Sequence, residues 1–145
     1  MYAFDDDSPL VRDLALAPVI TMPANVTLGA VAAALTDTGA PVVLLEAGRA
    51  VGVDRDDLVR ALAAGAQSSD PAAGFGHTPV IVEAHTTLLA SISSMLRAGH
   101  DAVIVVDAKD RLVGALGYRI ATRTLAAASR WVGALRVALH LEQAQ

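Results

Sequence analysis

Apolar residues Leu28, Val31 and Leu35 recur at helical spacing behind Thr27, whose hydroxyl can cap the first turn. Gly39 ends that stretch, and the pattern then changes period. Val42-Val43-Leu44-Leu45-Glu46 is a short apolar run of the buried-strand kind; Ala47-Gly48-Arg49 turns the chain, and Ala50-Val51-Gly52-Val53 supplies a partner strand. Upstream, Val19-Ile20-Thr21-Met22 follows Pro18 as a further β-type segment. Downstream, residues 56–64 carry Leu58, Val59 and Leu62 on one side of a second helix that stops at Gly65. The predicted order is strand, helix, strand, strand, helix.

The order then recurs. Val80-Ile81-Val82 precedes the cap Thr87, Leu88, Ile92, Met95 and Leu96 mark the helix face, and Gly99 ends it. Val103-Ile104-Val105-Val106-Asp107 is the next strand, Ala108-Lys109-Asp110 the turn, and 111–116 its partner. The offset is 60 from Thr27 to Thr87, from Leu35 to Met95 and from Gly39 to Gly99, and widens to 62 from Gly52 to Gly114. A period this long indicates a duplicated supersecondary unit. The expected organisation is a first repeat over 8–65, a small, polar, breaker-rich linker over 66–76, a second repeat over 77–128 and a helical extension over 129–145.

That extension exceeds what the repeat requires. Trp131, Leu135 and Leu139, with Val132 beside them, form an apolar face at helical spacing. It either folds back over the protein's own sheet or docks on a second subunit or another protein, and both readings suit a homodimer.

Composition narrows the function. The chain is 145 residues long and 54% apolar, enough for a substantial core. Charges interrupt every apolar run before the roughly 18–20 residues that span a bilayer, and the start is acidic (Asp5-Asp6-Asp7) where a secretory signal is basic. A soluble, cytoplasmic protein is expected, with no membrane partner. Cysteine is absent, which excludes disulfides and thiolate metal sites. The net charge of -4 argues against direct nucleic-acid binding. Arginine outnumbers lysine ten to one and alanine is abundant, a bias of GC-rich bacterial genomes.

Catalytic chemistry is not legible. Ser91, Ser93 and Ser94 lie mid-helix without an activating arrangement, phosphate-cradling glycine loops do not occur, and no enzyme activity is expected. His77, His85, His100 and His140 fall in unrelated elements without ligand spacing, so surface or loop roles are expected and no metal site.

The ordered set, with Val11-Arg12-Asp13-Leu14 leading into Pro18-Val19-Ile20-Thr21 and with Val51-Gly52 and Val113-Gly114 at matching places, resembles a tandem CBS-domain pair (a Bateman module) of the stand-alone bacterial type. The resemblance covers roughly residues 8 to 128. It implies an α/β (α+β) fold of two βαββα repeats packed as one pseudo-twofold module, and a dimeric regulatory protein. It also implies clefts that receive AMP, ADP, ATP or S-adenosylmethionine as regulatory ligand, with no cofactor required. The family signature is a glycine, an apolar pair, Thr or Ser, two residues, then the Asp that holds the ribose hydroxyls.

Both repeats depart from that signature. Gly52-Val53-Asp54-Arg55-Asp56-Asp57 is one residue short: Asp57 stands for the ribose-binding Asp, and Asp54 occupies the hydroxyl position, where its charge repels phosphate. Gly114-Ala115-Leu116-Gly117-Tyr118-Arg119 has Gly117 at the hydroxyl position and no Asp; Tyr118 can stack on a base and Arg119 can meet a phosphate. By the resemblance, Ile20, Thr21 and Met22 wall the first cleft and Val80, Ile81 and His100 the second. The alternative to a sensor is a ligand-free protein-interaction scaffold with closed clefts.

Overall fold

The computed structural model describes residues 9–46 and 48–129. Thr27 and Thr87 each sit in extended backbone, and each hydroxyl accepts the amide three residues on, from Ala30 and Ala90. These caps open helices α1 (Leu28–Thr38) and α3 (Leu88–Ala98). Gly39 and Gly99 close them in the left-handed region (φ 68° and 71°), which a Cβ would strain.

Each helix links two parallel strands, and an antiparallel hairpin follows. In the first half β1 (Ile20–Pro23), β2 (Val42–Glu46) and β3 (Val51–Asp54) lie in the order β1-β2-β3. β1 runs parallel to β2 with Ile20 opposite Val43, and β2 antiparallel to β3 with Val43 opposite Val53. The second half repeats this with β4 (Ile81–Glu83), β5 (Ala102–Val106) and β6 (Leu112–Gly117), Ile81 opposite Ile104 and Ile104 opposite Ala115. Helix α2 (Arg55–Ala63) follows β3; helix α4 runs from 118 to the last described residue, 129. The fold is α+β, two βαββα units, and the sequence order of elements holds throughout.

The two halves exchange segments. Residues before β1 pack on the second half: Val11 is fully buried among Leu88, Met95 and Val103, and its amide donates to the Thr86 carbonyl at 2.9 Å. Leu10 bridges to Thr87 and Ala17 to Ala115. Residues before β4 do the same to the first half, where Pro71 bridges to Thr27 and His77 to Gly52, and Ala72 is buried with Val31, Val43 and Leu45. The matching pairs make the arrangement pseudo-twofold. The 66–76 stretch expected as a linker is therefore partly core of the first half, because its small residues fit close to α1 and β3.

Val42 of β2 meets Ala102 and Ile104 of β5 and Ala115 of β6 in a small cluster that joins the sheets. Among the described residues no helix is long and apolar enough to cross a membrane. Trp131, Leu135, Leu139 and His140 lie outside the described residues.

Candidate functional site

Strand β3 delivers Asp54 to the first position before α2. Its Oδ1 accepts the Asp57 amide at 2.9 Å, and Asp57 Oδ2 accepts the Asp54 amide at 3.0 Å. This reciprocal pair satisfies two helix-terminal donors and fixes both carboxylates.

Asp57 accepts further. Its Oδ2 takes a hydrogen bond from His77 Nδ1 at 2.7 Å, and its Oδ1 one from Arg60. The side chain is 1% exposed. Burial pushes its carboxyl up, but the His77 bond, the Asp54 amide and Arg60 together outweigh that and hold it below the usual carboxylate range. Asp54 goes the other way. Burial, and then the adjacent Asp57 charge, push it up against the Asp57 amide that favours its ionised form. Its Oδ2 is buried with no hydrogen-bond partner among the described residues.

His77 owes its position to backbone. Its amide and carbonyl pair with Gly52 at 2.9 and 2.8 Å, and a Cβ on Gly52 would meet the ring at 3.2 Å. His100 arrives from the end of α3, its amide bonded to the Met95 carbonyl at 3.1 Å. The two rings stack at 3.6 Å with planes 14° apart, and His100 Nδ1 lies 3.8 Å from Asp54 Oδ2. Of the surface or loop roles expected of the histidines, His85 is at the surface, its side chain 58% exposed, whereas His77 and His100 lie in connecting segments yet are largely buried, at 12% and 18%. Topology overrides sequence separation here: the segment exchange puts residue 77 beside β3, and sheet packing brings the end of α3 to meet it.

In front of this cluster lies a cleft of about 420 Å³ shared by both halves. Its walls are the Gly39–Pro41 turn, Asp54 to Asp56, Asp101, and Gly117 to Ile120. The first turns of α2 and α4 therefore face one space. The Tyr118 amide donates to the Asp101 carbonyl at 2.7 Å, closing the α4 end. A side-chain hydrogen bond with Asp56, and then burial, push the Asp101 carboxyl up.

The structure gathers four of the sequence-designated residues, Asp54, Gly117, Tyr118 and Arg119, on that cleft, with His100 against Asp54. It keeps Asp57 behind the wall with both oxygens engaged. Ile20 and Met22 pack on the first core and Thr21 is exposed; Val80 packs on the second core and Ile81 is 55% exposed. The sequence reading missed Asp56 and Asp101 as wall residues, and His77. The repeat offset sets Ala17 against His77 and Ala40 against His100, and neither partner carries a polar side chain to signal a site.

Residues 76–125 match the family model described as the CBS domain. Among solved structures the chain is similar to the CBS domain protein PAE2072 from Pyrobaculum aerophilum complexed with AMP. Identity is 24% and TM-score 0.68, over 77% of this chain and 88% of that one. It is similar to the CBS domain pair of protein MJ0100 in complex with 5′-methylthioadenosine and S-adenosyl-L-methionine, at 20% and 0.69, over 83% and 98%. A third, Hypoxic Response Protein I with two coordinated zinc ions, gives 21% and 0.62, over 79% and 98%. No curated protein matches the sequence. Residues 76–125 thus match the CBS domain, and the chain shares the fold of CBS-domain pair structures over about four fifths of its length.

Proposed function

We propose that the chain is a non-enzymatic, homodimeric regulator whose shared cleft receives an adenosyl metabolite lacking phosphate. S-adenosylmethionine and 5′-methylthioadenosine fit this description better than AMP, ADP or ATP. The observation that carries the reading is the cleft wall: carboxylates of Asp54, Asp56 and Asp101 against the guanidinium groups of Arg55 and Arg119.

A unit negative charge held about 6 Å from an unpaired carboxylate is repelled by about 3 kcal/mol at an effective dielectric near 20. The two arginines are exposed and offset only part of that. A neutral or cationic adenosyl ligand avoids the penalty. Tyr118 offers an aromatic surface for adenine, and Asp56 and Asp101 offer acceptors for ribose hydroxyls, a task closed to the fully engaged Asp57. Relatives of the same fold support the ligand class, one in complex with AMP and one with the two phosphate-free compounds.

Because both halves contribute wall residues, a ligand binding one packing of the halves more tightly shifts the population toward it. Calorimetric titration with 5′-methylthioadenosine and AMP tests the preference. The expected result is saturable binding of the first, at least about tenfold tighter than AMP (about 1.4 kcal/mol) and weakened by Asp101→Asn. Tighter AMP binding would overturn the charge argument. Silence from both ligands would favour the scaffold reading, which the engaged Asp57 supports.

A further inference from the structure

We infer that Asp54, His77 and His100 form a binding site for one divalent transition-metal ion of the zinc class. One ligand-type atom from each residue lies within 4.8 Å of the other two. Bonds of about 2.0–2.1 Å to a tetrahedral zinc put neighbouring ligand atoms about 3.3 Å apart, so the site closes by side-chain rotation of an ångström or so.

The Asp54 carboxylate is the strongest sign. It is held by the bond from the Asp57 amide to its Oδ1, while Oδ2 is buried without a hydrogen bond among the described residues. Leaving a buried carboxylate oxygen unpaired is expensive, and a cation relieves that cost. His77 is prepared in a second way. With Nδ1–H donated to Asp57, the neutral ring carries its free lone pair on Nε2, the carboxylate–histidine arrangement that orients metal-binding imidazoles. His100 is the third donor, its Nδ1 3.8 Å from Asp54 Oδ2. Stacked rings have nearly parallel lone pairs, so ion binding requires one ring to tilt out of the 14° stack.

The donor set chooses the ion. Two imidazole nitrogens and one carboxylate oxygen suit Zn²⁺ and its first-row neighbours, whereas Mg²⁺ and Ca²⁺ prefer oxygen throughout. Three protein ligands leave a fourth position for water or for a molecule in the adjoining cleft, whose wall Asp54 also forms.

The test uses the full chain stripped with a chelator, in the absence of any adenosyl compound, so its outcome is independent of the nucleotide reading. Zn²⁺ is titrated by calorimetry and Co²⁺ by its visible d–d absorption. One ion per chain with tetrahedral-type Co²⁺ bands is expected, and both signals should be lost in Asp54→Asn and His100→Ala variants whose circular dichroism matches the parent. If either variant fails to fold, ring-nitrogen NMR of the unmodified protein decides, with His77 and His100 shifting on Zn²⁺ addition and His85 unmoved. No saturable binding, binding undiminished in folded variants, or unmoved His77 and His100 signals would overturn the assignment.

Discussion

Replacing Asp57 by alanine isolates what the buried carboxylate contributes to the fold. The substitution strips partners from the Asp54 amide (3.0 Å) and from His77 Nδ1 (2.7 Å), both on residues largely shielded from water. A buried donor left unpaired costs about 1–3 kcal/mol. Loss of Arg60 adds little, because its side chain is 63% exposed and such i,i+3 pairs contribute about 0.3–0.5 kcal/mol. Two terms work in the opposite direction: the desolvation of Asp57 disappears, and so does its repulsion of Asp54. The expected net loss is about 2–4 kcal/mol at neutral pH. Asp57→Asn keeps an acceptor for the Asp54 amide and should lose about half as much. Urea unfolding in the presence of a chelator measures both. A loss below about 1 kcal/mol for alanine, or equal losses for the two variants, would refute the view that Asp57 is a structural hub.

Other perturbations probe the segment exchange and the repeat. Val11→Ala should cost about 1–3 kcal/mol by urea titration, with amide exchange rising in α3 and β5 rather than in the first half, because Val11 is buried in the second core. Gly76→Ala should destabilise by about 1–3 kcal/mol or misfold, since its Cβ would sit 2.6 Å from the Gly52 carbonyl oxygen; Gly74→Ala, with open space around it, is the control. Thr27→Ala and Thr87→Ala should lose similar amounts, about 1 kcal/mol each, as they cap equivalent helices. A marked inequality in thermal denaturation would contradict the equivalence. Met95→Ala should cost about 2–5 kcal/mol and Leu62→Ala less than about 0.5 kcal/mol, as one is 1% and the other 74% exposed.

The fold was legible because its local signals agree with one another. Thr27 and Thr87 cap, Gly39 and Gly99 stop, and the apolar runs at Val42 and Val103 are the strands of matching sheets. What the pattern could not carry is the exchange. Pro71 to His77 reads as a loop, yet its pairing with Thr27 and Gly52 is a tertiary event with no periodicity of its own. The site divides the same way. Asp54, Tyr118 and Arg119 sit at helix starts that sequence spacing locates. The hydrogen-bonding state of Asp57 and the meeting of His77 with His100 depend on contacts between elements distant in the chain.

Mapping amide chemical-shift changes on addition of 5′-methylthioadenosine tests most directly whether the shared cleft is the regulatory site. Saturable shifts are expected, concentrated at Gly39 to Ala40, Asp54 to Asp56, Asp101 and Gly117 to Ile120, the walls contributed by both halves. Shifts centred elsewhere, or none at saturating ligand, would contradict this reading.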